Sequence, residues 1–135
     1  ILLCGSAIIK PNIFSLARIG TINAHPGLLP EYKGLDSVRW AIYYDEPVGA
    51  TSHFVDRGLD TGPVLVRQHV SYERGDTILD IRVRTMRVCA EVMLRAVQGL
   101  MDGTVIPRPQ KEGEGRYFSW APEDVRKVVD DKLSA

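Results

Sequence analysis

The chain opens on an apolar run, Ile1 to Ile9, interrupted only by Gly5 and Ser6. A continuous run of this length predicts a strand buried on both faces, the kind found inside a parallel sheet. Pro11 ends it. A short helical turn over 12–18 follows, and Gly20 leads into a second strand at Thr21 to Asn23. Strand, helical connection and strand at this spacing predict a parallel βαβ crossover. From Ala24 to Gly34, two prolines and two glycines predict an irregular loop without a regular element. Asp36 or Ser37 is placed to cap a helix running to about Tyr44, with Val38, Ala41 and Ile42 on one face. Two further strands, Val48 to Val55 and Pro63 to Val70, flank the polar loop 56–62 and predict an antiparallel pair at the sheet edge. The longest helix is expected from Thr77 to about Asp102. Thr77 and Asp80 have capping-box spacing, Gly103 is the stop, and Ile78, Ile81, Met86, Met93, Val97 and Leu100 form the apolar stripe. Residues 107–115 read as a solvated connection, and Pro122 to about Leu133 as a last helix.

Composition narrows the class. Of 135 residues, 44% are hydrophobic and 25% charged, which are globular proportions. Lys plus Arg and Asp plus Glu are 17 each, so bulk charge gives no purchase on nucleic acid. No apolar stretch reaches the roughly 18 residues of a spanning helix. The opening run lacks the positive flank and small-residue cleavage site of a secretory signal. Cys4 and Cys89 make neither a CxxC nor a metal-ligand spacing, so neither a disulfide framework nor a metal site is expected, and a reducing cytoplasm is the expected location. A chain that starts inside its sheet is expected to be the C-terminal part of a longer domain. Its unpaired strand would then expose apolar surface, consistent with a homo-oligomer.

Three segments hold polar groups beyond structural need: Asn23-Ala24-His25-Pro26, Thr51-Ser52-His53, and Asp56 to Gly62. Asn23 and His25 leave the carboxyl end of a strand, where open α/β sheets bind ligands. Taken singly, each has an ordinary account. His25 reads as a hydrogen-bonded loop histidine, Asp60-Thr61-Gly62 as turn chemistry, His53 as a core histidine, Cys4 as a small buried hydrophobe, and Arg82, Arg84, Arg87 and Arg95 as a solvated helix face.

Together they read differently. N-x-H-P-x-L-L-P-x-Y-x-G over Asn23 to Gly34, G-x-T-x-H-x-V-D over Gly49 to Asp56, and L-D-x-G-P-x-L over Leu59 to Leu65 resemble the folate-dependent formyltransferases. The resemblance covers roughly residues 1–105 as the C-terminal part of a catalytic domain, with 106–135 a connection and helix packed on the same domain. It implies an α/β, Rossmann-like, mostly parallel sheet with flanking helices, lacking an N-terminal portion. It implies formyl transfer from 10-formyltetrahydrofolate to a primary amine, without a metal. Asn23, His25 and Asp60 match the family's catalytic set, and His53 is a supporting residue. A side-chain amide suits a developing oxyanion, and an imidazole suits proton transfer. The acidic partner would orient the imidazole, raise its pKa, or act through a bound water. By the same resemblance, Ala7, Ile8 and Ile9 wall the pterin, and the backbone of Val55, Asp56 and Leu59 binds its edge. The expected partner is a small-molecule amine; no membrane is expected, nor nucleic acid unless it is tRNA. Gly27 and the segment Leu35 to Tyr44, with Trp40, resemble the sugar-nucleotide enzymes. Glycinamide ribonucleotide or methionyl-tRNA as acceptor, hydrolysis of formyltetrahydrofolate, and an inactive folate-binding fragment stay open as alternatives.

Overall fold

The computed structural model describes residues 1–4 and 8–135. A four-stranded sheet is built from β1 (Leu2–Cys4), β2 (Ile22–His25), β4 (Gly49–Phe54) and β5 (Val64–His69), in the order β1-β2-β4-β5. A short ribbon pairs β3 (Tyr32–Gly34) with β6 (Arg116–Phe118). Four helices accompany them: α1 (Pro11–Phe14), α2 (Ser37–Tyr43), α3 (Ile78–Asp102) and α4 (Glu123–Ser134). The α/β reading stands. Among the described residues, β1–β2 and β3–β6 are parallel, whereas β2–β4 and β4–β5 are antiparallel, with β5 at the edge.

β1 is shorter and more exposed than its hydrophobicity predicted. Its described residues are Leu2–Cys4, Ile8 to Lys10 form no strand, and Leu2 is 57% exposed. Among the described residues it pairs only with β2, so its apolar side chains are not covered on both sides. Cys4 is exposed rather than buried. The buried thiol is Cys89, which burial pushes up to about 12 and which therefore stays protonated at neutral pH.

One face of the sheet carries α3. Its buried residues are Ile81, Thr85, Cys89, Val92, Ala96 and Gly99, spaced at threes and fours. Small residues dominate this stripe and let the helix approach Ala24, Ala50 and Val66 closely. The expected Met86 is not part of it and is largely exposed. The capping box of Thr77 and Asp80 forms as expected, and Gly103 closes α3 in the left-handed region at φ 75°.

Asp36 precedes α2 at φ 55° and makes no side-chain cap. Its fully buried carboxylate instead accepts from Arg39 (3.1 Å), Arg82 and the Ala121 N–H (3.2 Å), tying α2 to α3 and to the approach of α4. Arg82 is therefore not a purely solvated side chain, and Arg84 likewise pairs with Asp76. A core of Tyr32, Val38, Ile42, Val48, Ile81, Val129 and Leu133 joins these helices to the ribbon. Among the described residues, no helix is long and apolar enough to cross a membrane.

Candidate active site

The face of the sheet opposite α3 holds the polar residues. Side chains two apart on a strand share a face, so Asn23 and His25 point together. Asn23 lies opposite His53, and His25 opposite Thr51, in the β2–β4 register. Thr51 is structural: its hydroxyl donates to Gly27 O (2.8 Å) and accepts from the Leu29 N–H (3.0 Å), which holds the 27–29 turn over the sheet. Ser52 points to the other face and bonds Val66 on β5.

Asp60 completes the group from outside the sheet. The loop 55–62 leaves the end of β4 and folds back across β2. Its Asp60 Oδ2 accepts from the Gly34 N–H at 2.8 Å. The carboxylate lies between two imidazoles, with His25 Nδ1 3.6 Å from Oδ2 and His53 Nε2 3.7 Å from Oδ1. Both distances are too long for direct hydrogen bonds, so the coupling is electrostatic. The ring centroids of His25 and His53 are 6.5 Å apart, edge to face.

Backbone partners settle which nitrogen of each ring carries a proton. His25 is the last residue of β2 and is buried, not a surface loop residue. Its Nε2 lies 2.7 Å from Tyr32 O, an acceptor only, so Nε2–H donates there and Nδ1 faces Asp60. Ser37 Oγ stands 3.3 Å from the same Nε2. Gly27 is needed for this packing, because a Cβ there would lie 2.7 Å from Ser37 Cβ and 2.8 Å from His25 Nε2. His53 Nδ1 donates to Phe54 O at 2.9 Å. Burial lowers the His53 pKa, only partly opposed by the Asp60 charge, and the ring is neutral. Its Nε2 therefore carries a lone pair and accepts from Asn23 Nδ2 at 3.2 Å. That bond fixes the orientation of the Asn23 amide, leaves its second N–H for a ligand, and leaves Asn23 Oδ1 buried without a partner among the described residues.

This arrangement predicts a pH signature. His53 binds a proton less readily in the folded chain than in the unfolded one. Its contribution is complete above the unfolded value of about 6.5 and is lost as pH falls through the folded value. The slope is at most about 1.4 kcal/mol per pH unit for one proton. Melting temperatures measured from pH 7.5 to 5 are expected to fall more steeply for the parent than for His53→Gln, which has no proton to gain. Parallel curves would mean that His53 takes up its proton as readily in the folded chain as in the unfolded one.

The residues expected at the pterin are placed separately. Ala7 lies outside the described residues. Ile8 is exposed and Ile9 half-buried on the connection after β1, while Asp56 and Leu59 are exposed on the 55–62 loop. Two backbone donors of that loop already have partners inside the chain: Val55 N–H donates to Thr21 O (2.7 Å) and Gly58 N–H to Asp56 Oδ1 (3.0 Å). The Val55 N–H is thus not available to a ligand edge.

Comparison with known proteins gives a consistent result. A family model described as "Formyl transferase" matches residues 2–97. A methionyl-tRNA formyltransferase of Caldanaerobacter subterraneus subsp. tengcongensis is 34% identical over 111 residues, covering 82% of this chain and 36% of that protein. One from Corynebacterium aurimucosum is 37% identical over 121 residues, covering 88% and 36%. The chain thus spans little more than a third of these relatives. The formyltransferase PseJ of Anoxybacillus kamchatkensis was solved with UDP-4,6-dideoxy-4-formamido-L-AltNAc and tetrahydrofolate. It superposes with a TM-score of 0.77 at 28% identity, over 98% of this chain and 74% of that one. A 4-N formyltransferase of Francisella tularensis shares the fold, with a TM-score of 0.76 at 20% identity over 98% and 59%.

Proposed function

We infer that this chain, which belongs to the formyl transferase family, carries the transfer centre of an enzyme that moves a formyl group from 10-formyltetrahydrofolate to a primary amine. The observation that carries this reading is the meeting of Asn23, His25, His53 and Asp60 on one face of the sheet. The residues also fit the donor. Asn23 offers a free N–H beside a buried, unpartnered Oδ1, a pairing that suits a carbonyl oxygen next to an amine N–H. When bound, the folate would supply an activated formyl group on nitrogen.

The chain's own groups then have distinct tasks. Asn23 Nδ2 would donate to the formyl oxygen as negative charge develops there. Its amide is held for that by neutral His53, without reorganisation during the reaction. His25 would take the amine proton on Nδ1, because Nε2–H is committed to Tyr32 O. Asp60 would stabilise the resulting imidazolium across the 3.6 Å gap. The role of orienting the imidazole, which the sequence suggested for Asp60, falls in this reading to the Tyr32 carbonyl. Ala7, Ile8 and Ile9 remain the proposed wall for the pterin, with the backbone of Asp56 and Leu59 and the carbonyl of Val55 at its edge.

The acceptor favoured is an amino-sugar nucleotide. PseJ, whose solved complex holds a formamido sugar nucleotide, aligns over nearly the whole chain, including the segment beyond residue 97. Methionyl-tRNA is the second reading, supported by the higher identity of the tRNA enzymes. Full-length protein supplied with 10-formyltetrahydrofolate is expected to release tetrahydrofolate only when an amino-sugar nucleotide is added. Release with initiator methionyl-tRNA alone would transfer the assignment to the second reading. Amine-independent release would make the enzyme a hydrolase, and no release with any amine would remove the transfer reading.

A further inference from the structure

We propose that Gln110 is a positioning residue for the Asp60 carboxylate, acting from outside the matched segment 2–97; this rests on the reading that Asp60 acts in transfer. The sequence gives Gln110 no prominence, since it lies in the connection 107–115. In the structure its amide nitrogen donates twice, to Asp60 O (2.9 Å) and to Gly62 O (2.8 Å). One planar group thereby holds the two carbonyls that bracket Thr61. Asp60 needs such a hold, because it sits at φ 55°, a conformation that non-glycine residues adopt only when their surroundings impose it.

The clamp itself is anchored. Arg108, two residues before Gln110, exchanges N–H and C=O bonds of 2.8 Å with Val64, two residues after Gly62. Four residues past Gln110, Glu114 O accepts from the buried Lys33 Nζ at 2.6 Å. Lys33 adjoins Gly34, whose N–H meets the Asp60 carboxylate. Asp60 is thus gripped twice: by Gln110 at its backbone and by Gly34 at its side chain. Packing alone does not account for an amide at this position. Gln110 Oε1 is buried without a partner among the described residues, and a methionine of the same shape would leave no such orphan. The amide is explained by what its two N–H groups hold.

The test is a double-mutant cycle in the full-length protein, read as single-turnover formyl transfer. Gln110→Met is expected to lower the rate constant about ten- to a hundredfold, the penalty of misplacing a reacting group by a fraction of an ångström to an ångström. The KM for 10-formyltetrahydrofolate should change less than about twofold, as for an interaction that matters only in the transition state. In an Asp60→Asn background, Gln110→Met should change the residual rate less than about twofold, because the group it positions is gone. Losses that multiply in the double variant, or a normal rate for Gln110→Met where Asp60→Asn is inactive, would overturn the clamp alone. Full activity in Asp60→Asn would overturn the site reading and the clamp with it. Should Gln110→Met fail to fold, Gln110→Glu keeps the shape but sets a carboxylate against the two carbonyls, and the same cycle decides.

Discussion

His25→Asn in the full-length protein is expected to slow formyl transfer at least about a hundredfold, the usual cost of losing a general acid–base group. Asparagine keeps some hydrogen-bonding capacity but cannot carry a proton between the amine and the leaving nitrogen. The structure also assigns a stability cost that a surface-loop histidine would not have. His25 is buried, and its Nε2–H serves Tyr32 O. A shorter side chain leaves that carbonyl only the longer Ser37 hydroxyl contact (3.4 Å), at about 1–3 kcal/mol. The two costs are separable: turnover is followed as tetrahydrofolate release, stability by thermal melting, and the variant is assayed well below its melting temperature. Near-normal turnover in a destabilised protein would make His25 purely structural, and the proton-transfer role would have to be given up.

Gly62→Ala is expected to damage fold and site together. A Cβ at Gly62 would stand 1.7 Å from Phe54 O and 2.7 Å from Phe54 C. Both are backbone atoms of β4, in a peptide unit held by the Val55 N–H bond to Thr21 O (2.7 Å) and by His53 Nδ1 on Phe54 O (2.9 Å). The 60–62 turn must therefore shift outward, which loosens both carbonyls held by Gln110 and withdraws Asp60 from its place between the two imidazoles. A loss of about 3 kcal/mol or more is expected from this named backbone clash. For a domain of this size that lowers the melting temperature by roughly 10 °C. Transfer should fall by about a hundredfold even in the fraction that remains folded. Gly75→Ala is the control for handling one glycine fewer: a Cβ there meets nothing within 4 Å, so only its φ of 92° is strained. If Gly62→Ala melted with the parent, the tight return of the loop onto β4 would be disproved.

How far the sequence could be read depended on how far apart the cooperating residues lie. The termini of α3 were legible because their signals are local: Thr77 and Asp80 are three residues apart, and Gly103 takes a left-handed conformation that other residues resist. The two antiparallel strands were legible for the same reason, since a short polar loop joins them. Asn23, His25 and Asp60 were picked out by motif, and the alternation of side chains on β2 ensures that the first two share a face. The third joins them only through the fold.

The residues that hold this site together lie beyond local reach. The segment 24–34, rich in proline and glycine, ends in a strand because Arg116 to Phe118 come back beside Tyr32 to Gly34. No propensity within the segment anticipates a partner more than eighty positions away. Gln110 and Asp60 are fifty positions apart, and Asp36 meets Arg82 across forty-six. A hydrophobic run likewise states what would gain by burial without stating whether anything covers it, and at β1, which among the described residues pairs only with β2, Leu2 is exposed. Chemical identity and local backbone preference reside in the sequence, since they act over about one turn of chain. Which nitrogen of His25 bears the proton, which way the Asn23 amide points, and what holds Asp60 at φ 55° were decided only by tertiary contacts, because each depends on a carbonyl, a ring or an amide delivered from a distant part of the chain.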